Sequence, residues 1–203
     1  GFSPVAPDEV LDLLTLLVNK SLVVSEKKQG IETRYYYLET IGQFALDRLL
    51  DSGEGTAARE RHLAYFRNLA EIGAKELFGR GQLKWIARLD RELGNFHAAL
   101  DWVEENDAEE TRLAGLYLIA ALAWASQNGN VSEGYEHLLR ILSITGNIRT
   151  ALRASLLALA GWLAIVLQLN NESELYANQS IALYDELGDR LGRAWPIAVF
   201  AAQ

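Results

Sequence analysis

Apolar residues recur at every third or fourth position along most of the chain, and only a short stretch near the start departs from this period. The period predicts amphipathic helices over most of the sequence. Near the start we predict a helix at Asp8–Asn19, a β-hairpin with strands at about Leu22–Glu26 and Thr33–Leu38, and a second helix from about Thr40. Helix, hairpin and helix in this order are typical of the rear part of a winged helix.

The first boundary is predicted near Asp51–Gly55, where two glycines beside small polar residues end the second helix. We therefore expect residues 1–54 to be the carboxyl-terminal part of a winged-helix module, and residues 55–110 to be linking helices. The apolar stripes of the linking helices are predicted at Arg59–Phe78, Gln82–Leu93 and about Asn95–Glu105.

The remaining residues, 111–203, are self-similar. A long apolar helix, a polar turn and a second amphipathic helix recur, with equivalent positions at Leu122, Gly161 and Ala201. This spacing of about 40 residues is typical of an α-solenoid of tetratricopeptide-like helix pairs. The predicted fold class is mainly α, a partial winged helix followed by an α-solenoid. The expected pairs are Thr111–Gln127 with Val131–Ile144, Arg149–Leu169 with Asn171–Leu187, and a third pair opening at about Gly192.

The carboxyl end is apolar, whereas a terminal repeat normally carries a polar cap. Its large side chains are Trp195, Ile197, Val199 and Phe200, and the sequence opens on Gly1 without an initiator methionine. We therefore expect the chain to be part of a longer protein whose repeats are truncated at the carboxyl end.

Composition excludes several classes of site. Cysteine is absent, which excludes disulfides, cysteine-ligated zinc and thiol catalysis and fits a reducing compartment. The longest apolar run, Ala154–Leu169, is short for a membrane span, so we predict a buried core helix there and a cytoplasmic protein that does not engage a membrane.

The net charge of −8 disfavours a surface that follows nucleic-acid phosphates. One small basic cluster lies in the predicted wing, and the helix before it is acidic and apolar, so this helix cannot read base edges. We therefore do not expect direct DNA binding. The cluster consists of Lys20, Lys27, Lys28 and Arg34.

No catalytic or cofactor-binding motif is found in the sequence. A GxxxxGK[ST] phosphate loop and a GxSxG nucleophile motif are both missing, and Gly79–Gly81 between two helices is predicted to be a turn. His62, His97 and His137 lie on different predicted helices without a metal-ligand spacing, so we interpret them as ordinary helix histidines. We predict no catalytic, cofactor-binding or metal-binding residues in this chain, and therefore no enzyme.

One predicted surface could bind a partner, because the first helix of each tetratricopeptide-like pair lines the concave face of the array. This face is unusually apolar here, and two interpretations stay open: the residues belong to the core, or they form a groove for an apolar peptide, an effector or another domain of the same protein. Trp124 and Trp162 would be the anchors of such a groove. The candidate groove residues are Leu116, Ile119, Trp124, Gln127, Ala158, Trp162, Ile165 and Val166.

Eight segments, in this order, resemble the region that follows the ATPase core in bacterial signal-transduction ATPases of the STAND type. The resemblance implies the winged helix and the tetratricopeptide-like repeats, with ATP bound by a module of the parent protein that lies outside this chain. It also implies a non-catalytic segment that regulates transcription through protein, interdomain or effector binding. The segments are 17–23 (LVNKSLV), 35–41 (YYYLETI), 44–49 (FALDRL), 61–66 (RHLAYF), 85–89 (WIARL), 95–102 (NFHAALDW), 161–164 (GWLA) and 180–189 (SIALYDELGD).

Two alternatives from other classes are retained. The first is a nucleic-acid-binding fragment that uses the basic wing, which predicts salt-dependent binding to duplex DNA that weakens when Lys27, Lys28 and Arg34 become Glu. The second is a scaffold that self-associates through the apolar stretch Trp195–Phe200.

Overall fold

The computed structural model of the chain contains ten α-helices and one two-stranded antiparallel sheet among its described residues, so the prediction of a mainly α fold is confirmed. The chain separates into two compact units, Gly1–Ala58 and Arg59–Gln203. In the part of the chain that the structure describes, no helix has the length and apolar character needed to cross a membrane. The described residues are 5–6, 8–27, 33–76, 82–125 and 131–201.

The first unit follows the predicted order of helix, hairpin and helix. Its strands are shorter than predicted, three residues each, and Glu26 lies opposite Arg34 in their antiparallel register. The first helix is closed by Ser21 in the left-handed region (φ 57°), while the amide of Leu22 donates to the carbonyl of Leu17. The elements are α1 (Val10–Asn19), β1 (Val24–Glu26), β2 (Arg34–Tyr36) and α2 (Glu39–Asp51).

The next helix begins earlier than predicted. Gly53 has φ 75°, which a residue with a Cβ rarely adopts, and this reversal ends the preceding helix. The new helix then starts at once, at Gly55 rather than at Arg59. A Cβ added at Gly55 would lie 2.9 Å from Cδ2 of Leu50, so the absence of a side chain at Gly55 permits the short connection.

The remaining helices are α3 (Gly55–Glu76), α4 (Gln82–Arg91), α5 (Leu93–Glu104), α6 (Glu109–Ala125), α7 (Val131–Ile144), α8 (Ala151–Val166), α9 (Asn170–Leu187) and α10 (Ala194–Ala201). From α4 onwards each helix packs against its neighbours in sequence. Two helices also reach beyond their neighbours, because α6 packs against α4 and α8, and α8 packs against α6 and α10.

Local capping sets the ends of α8 and α9. The side chain of Thr150 accepts a hydrogen bond from the amide of Arg153 at the start of α8. This helix ends three residues before the predicted Leu169, because Gln168 takes a left-handed conformation (φ 61°) and the amide of Leu169 donates to the carbonyl of Ala164. Gly188 ends α9 in the same way, with φ 69°.

The core of the second unit extends from α3 to α9. Three helices approach closely at Gly115 of α6, where an added Cβ would lie 2.8 Å from Cγ1 of Val103 on α5 and 3.6 Å from Ile141 on α7. The apolar run of α8 is largely buried, as predicted, but it leaves part of one face exposed. That exposed face contains the candidate site.

Candidate interaction surface

The predicted groove residues divide between the core and the surface. Leu116 and Ile119 of α6 and Ala158 of α8 are buried, with almost no surface that a partner could reach. For these three positions the structure agrees with the core interpretation, because their side chains pack between helices. The side chain of Trp124 and the whole of Gln127 lie outside the described residues.

The other predicted residues form one face of α8. Trp162 is 41% exposed and Val166 is 51% exposed, while Ile165 between them is half-buried. Positions separated by three and four residues lie on the same side of a helix, so these three side chains are neighbours. The groove interpretation stays a prediction for this part of the set.

A second tryptophan, from α10, lies against Trp162. The ring centroids of Trp162 and Trp195 are 6.3 Å apart and the planes are inclined by 51°. Trp195 is 49% exposed, although it contacts the other ring. We call Trp162, Ile165, Val166 and Trp195 the tryptophan surface.

No direct signal in the sequence indicated this pairing. Trp195 stood out only as part of an apolar carboxyl-terminal stretch, and 33 residues separate it from Trp162, which is not the repeat spacing. The packing of α10 against α8 brings the two rings together. All four side chains of the surface are apolar or aromatic, so it can bury a partner's apolar groups but offers no acid, base or nucleophile for catalysis.

Two of the three histidines also meet in the structure. The ring centroids of His97 on α5 and His137 on α7 are 4.8 Å apart. Both are half-buried and lie on different helices, as predicted, but their contact with each other was not predicted. Their 40-residue separation equals the predicted spacing of equivalent helices and could have indicated the contact.

The third histidine has a different environment. His62 on α3 lies against Phe66 with ring centroids 4.6 Å apart. Burial lowers the pKa of His62, and a hydrogen bond with Asn95 acts in the opposite direction. Within the described ranges no group of three His, Asp or Glu side chains is arranged to hold a metal ion.

The basic wing is only partly described. Lys20 and Lys27 are exposed, Arg34 is half-buried, and Lys28 lies outside the described residues. The pairing register places the carboxylate residue Glu26 opposite Arg34. Opposite charges on facing strands attract one another, which reduces the positive field that this arginine could direct at a phosphate.

Comparison with known proteins gives one consistent result. No protein-family model matches the chain, and no solved structure matches it. The chain is 35% identical, over 202 residues, to proteins provisionally named HTH-type transcriptional regulators from Mycobacterium bovis and from two strains of Mycobacterium tuberculosis. The alignment covers 92% of this chain and 22% of each relative, so the chain spans about a fifth of their length. Along nearly all of its sequence, the chain is therefore similar to one part of proteins that carry a transcriptional-regulator name.

Proposed function

We propose that this chain is a non-catalytic regulatory segment of a longer bacterial transcriptional regulator, and that it works by binding protein. The similarity to regulators along 92% of the chain supports the regulatory part of the proposal. The absence of recognisable catalytic motifs in the sequence supports the non-catalytic part. The partner would be another protein, a peptide or another domain of the same chain, and a small effector could act at the same surface.

The finer architecture is also part of the proposal. We infer that α6 with α7 and α8 with α9 are tetratricopeptide-like pairs, and that α10 opens a third pair. The contacts of α8 with both α6 and α10 support this, because the first helices of successive pairs adjoin in such arrays. The first unit would be the rear of a winged helix, and a STAND-type module elsewhere in the parent protein would bind ATP.

The exposed tryptophan pair carries the binding part of the proposal. Trp162 and Trp195 keep nearly half of their surface exposed, and they are in contact with each other, whereas other exposed apolar side chains of the unit, such as Leu83 and Leu191, are aliphatic. Tryptophans are enriched among the residues that contribute most to protein interfaces, because they bury a large area at a small cost in side-chain entropy. The tryptophan surface is thus the part of the second unit best suited to contact a partner.

Regulation would follow from a difference in affinity. The tryptophan surface could bind a partner or effector more tightly in one arrangement of the parent protein than in another. Binding would then shift the populations of the two arrangements by the difference in binding free energy. Direct DNA contact by this chain is not required, since the sequence carries a net charge of −8 and its basic residues are few.

A reporter-gene assay with the parent regulator tests the proposal. Trp162→Ala and Trp195→Ala should each change the basal or induced expression, in the same direction, because each removes one half of the surface. Leu175→Ala is the matched control, since Leu175 is also about half exposed but lies on α9. It should leave expression unchanged.

Circular dichroism of each purified variant separates binding from folding. The helical signal should be unchanged in all three variants, because the substituted side chains are half exposed. Unchanged expression with both tryptophan variants, or loss of helical signal, would contradict a binding role for this surface. Binding of the chain to duplex DNA at low salt, weakened by Lys27→Glu, would instead favour the nucleic-acid alternative.

A further inference from the structure

A small cluster of titratable groups connects α5 with α7 at the edge of the core. His97 on α5 lies against His137 on α7, with ring centroids 4.8 Å apart and planes inclined by 53°. Both helices also pack against α6, whose Gly115 lets Val103 of α5 and Ile141 of α7 approach closely. The histidine contact therefore lies beside a tightly packed three-helix junction.

The hydrogen bond from Arg140 requires that the ring of His137 be neutral. Nη2 of Arg140 lies 2.6 Å from Nδ1 of His137 and donates a hydrogen bond to it, since the guanidinium group has no acceptor. Nδ1 must then carry a lone pair, so the ring is neutral with its proton on Nε2. That nitrogen lies 3.9 Å from the carboxylate of Glu133.

The same arginine continues the connection to α5. Its Nε lies 3.4 Å from Oε1 of Glu104. One guanidinium thus contacts a carboxylate on α5 and an imidazole on its own helix, α7, while the imidazole contacts His97 on α5. The two helices are joined by a polar network whose arrangement depends on a single unprotonated nitrogen.

We propose that His97, His137, Arg140 and Glu104 form a proton-sensitive contact, which holds α5 to α7 while His137 is neutral and weakens when His137 takes up a proton. A proton on Nδ1 would remove the acceptor that Arg140 uses and would place two positive charges within hydrogen-bond distance. The ligand of this device is the proton. Its effect goes beyond the proposed partner binding, because it acts between the predicted linking helices and the first predicted repeat pair.

The charged groups around His137 act in both directions. From α7, Arg140 opposes protonation and Glu133 favours it; from α5, His97 opposes protonation and Glu104 favours it. Burial is the largest cause and lowers the pKa of His137 from the ordinary value of 6.5, and Arg140 and His97 lower it further. The two carboxylates do not outweigh these effects.

The direction of the pH effect follows from this lowered pKa. At pH values well above 6.5, His137 is neutral in both the folded and the unfolded chain, and the contact is intact. As the pH falls below 6.5, the unfolded or opened state binds a proton first, so the closed contact becomes progressively less stable. The loss is complete below the pKa of the folded state.

Hydrogen exchange of backbone amides in the full chain tests the proposal. After correction for intrinsic exchange, protection in α5 and α7 should fall severalfold between pH 7.5 and pH 5.5, because the opened state takes up the proton at a higher pH than the closed state. Amides of α9, which contributes no residue to the cluster, should change less. Equal protection at both pH values, or an equal fall in α9, would overturn the proposal.

Variants assign the effect to His137. His137→Asn places an amide oxygen near the position of Nδ1, so it keeps an acceptor for Arg140 but does not titrate, and the pH effect on α7 should disappear. His62→Gln is the matched control, because His62 also has a lowered pKa but lies on α3. This variant should keep the pH effect on α7; loss of the effect there would refute the assignment.

A direct titration keeps the proposal testable even where His137→Asn fails to fold. The NMR signal of the His137 ring should titrate with a pKa below 6.5, and Arg140→Leu should raise that pKa, because Glu133 and Glu104 would then act without the opposing guanidinium. A pKa at or above 6.5 in the unchanged chain, or no shift in Arg140→Leu, would overturn the proposal.

Discussion

Both units contain amphipathic helices, but the two units differ in how many of the apolar side chains they bury. In the second unit, helices α5 to α8 bury whole rows of large apolar side chains, and the described residues of that unit form one connected core. In the first unit, α1 and α2 have no fully buried residue, and Val23 is the one hydrophobic side chain of the described part of that unit that is buried.

The difference shows what an apolar stripe does and does not specify. The stripe of α1 has the strong period of a helix that packs on one side, yet Val10, Leu11 and Leu16 of this helix remain exposed. A stripe indicates that burial would be favourable, but it does not identify the surface that provides it. In the second unit neighbouring helices supply that surface within the same unit.

The largest expected effect on the free energy of unfolding is that of removing a buried phenylalanine from the second unit. Phe96 on α5 is fully buried and contacts Phe66 with ring centroids 5.5 Å apart. Phe96→Ala should lower the free energy of unfolding by about 3–5 kcal/mol, because it removes buried area and leaves a cavity. Urea unfolding followed by circular dichroism measures the loss.

The matched substitution in the first unit is Phe44→Ala on α2. This ring is 59% exposed and lies under the guanidinium of Arg48, 5.2 Å from the ring centroid. We expect a change of at most about 1 kcal/mol, the scale of an exposed cation–π contact. A loss of unfolding free energy as large as that of Phe96→Ala would contradict the contrast between the two units, because it would mean that Phe44 lies in a packed core.

An intermediate effect is expected where three helices meet. Gly115→Ala would place a Cβ 2.8 Å from Cγ1 of the fully buried Val103, whose branched side chain has little room to move. We expect a loss of about 1–3 kcal/mol in the free energy of unfolding, measured by the same unfolding experiment.

Gly134→Ala is the control for helix propensity. No atom lies within 4 Å of the position that its Cβ would take on α7, so the substitution should stabilise the chain by roughly 0.5–1 kcal/mol. Stabilisation by both alanines would show that α6 can shift away from α5, and that this junction is looser than the structure indicates.

The smallest expected effect concerns a hydroxyl in the core. Ser180 on α9 is buried and donates to the carbonyl of Ala154 on α8 at 2.6 Å. Ser180→Ala should lower the free energy of unfolding by about 1 kcal/mol, the net contribution of one such hydrogen bond. Ser143→Ala, at an exposed hydroxyl that donates to a carbonyl of its own helix, should change the melting temperature little. Similar shifts of the melting temperature in the two variants would contradict the expected contribution of the hydrogen bond between α8 and α9.

The sequence predicted the elements better than their ends. The prediction for Val131–Ile144 agrees with α7 at both ends, since its apolar period is regular. The predicted end of α8 at Leu169 was three residues too late, because Gln168 is not a residue that usually marks a left-handed turn. Gly188 is such a residue, and the end of α9 was predicted correctly.

The candidate site was predicted only in part. Trp162, Ile165 and Val166 follow from the helical period of one segment, and they do share a face of α8. Leu116 and Ile119 were assigned to the same groove by repeat register, but neighbouring helices cover them. Trp195 and the histidine pair were not connected with their partners, because each contact joins residues more than 30 positions apart.

The sequence by itself determined the helices, the hairpin and the absence of familiar catalytic motifs, because these depend on residues within a few positions of one another. Tertiary structure alone decided which apolar residues are covered, that two tryptophans adjoin on α8 and α10, and that His137 accepts a hydrogen bond from Arg140 beside His97. The reason is that a period of 3.6 residues fixes which side chains share a helix face, whereas the packing of helices fixes which surface meets that face.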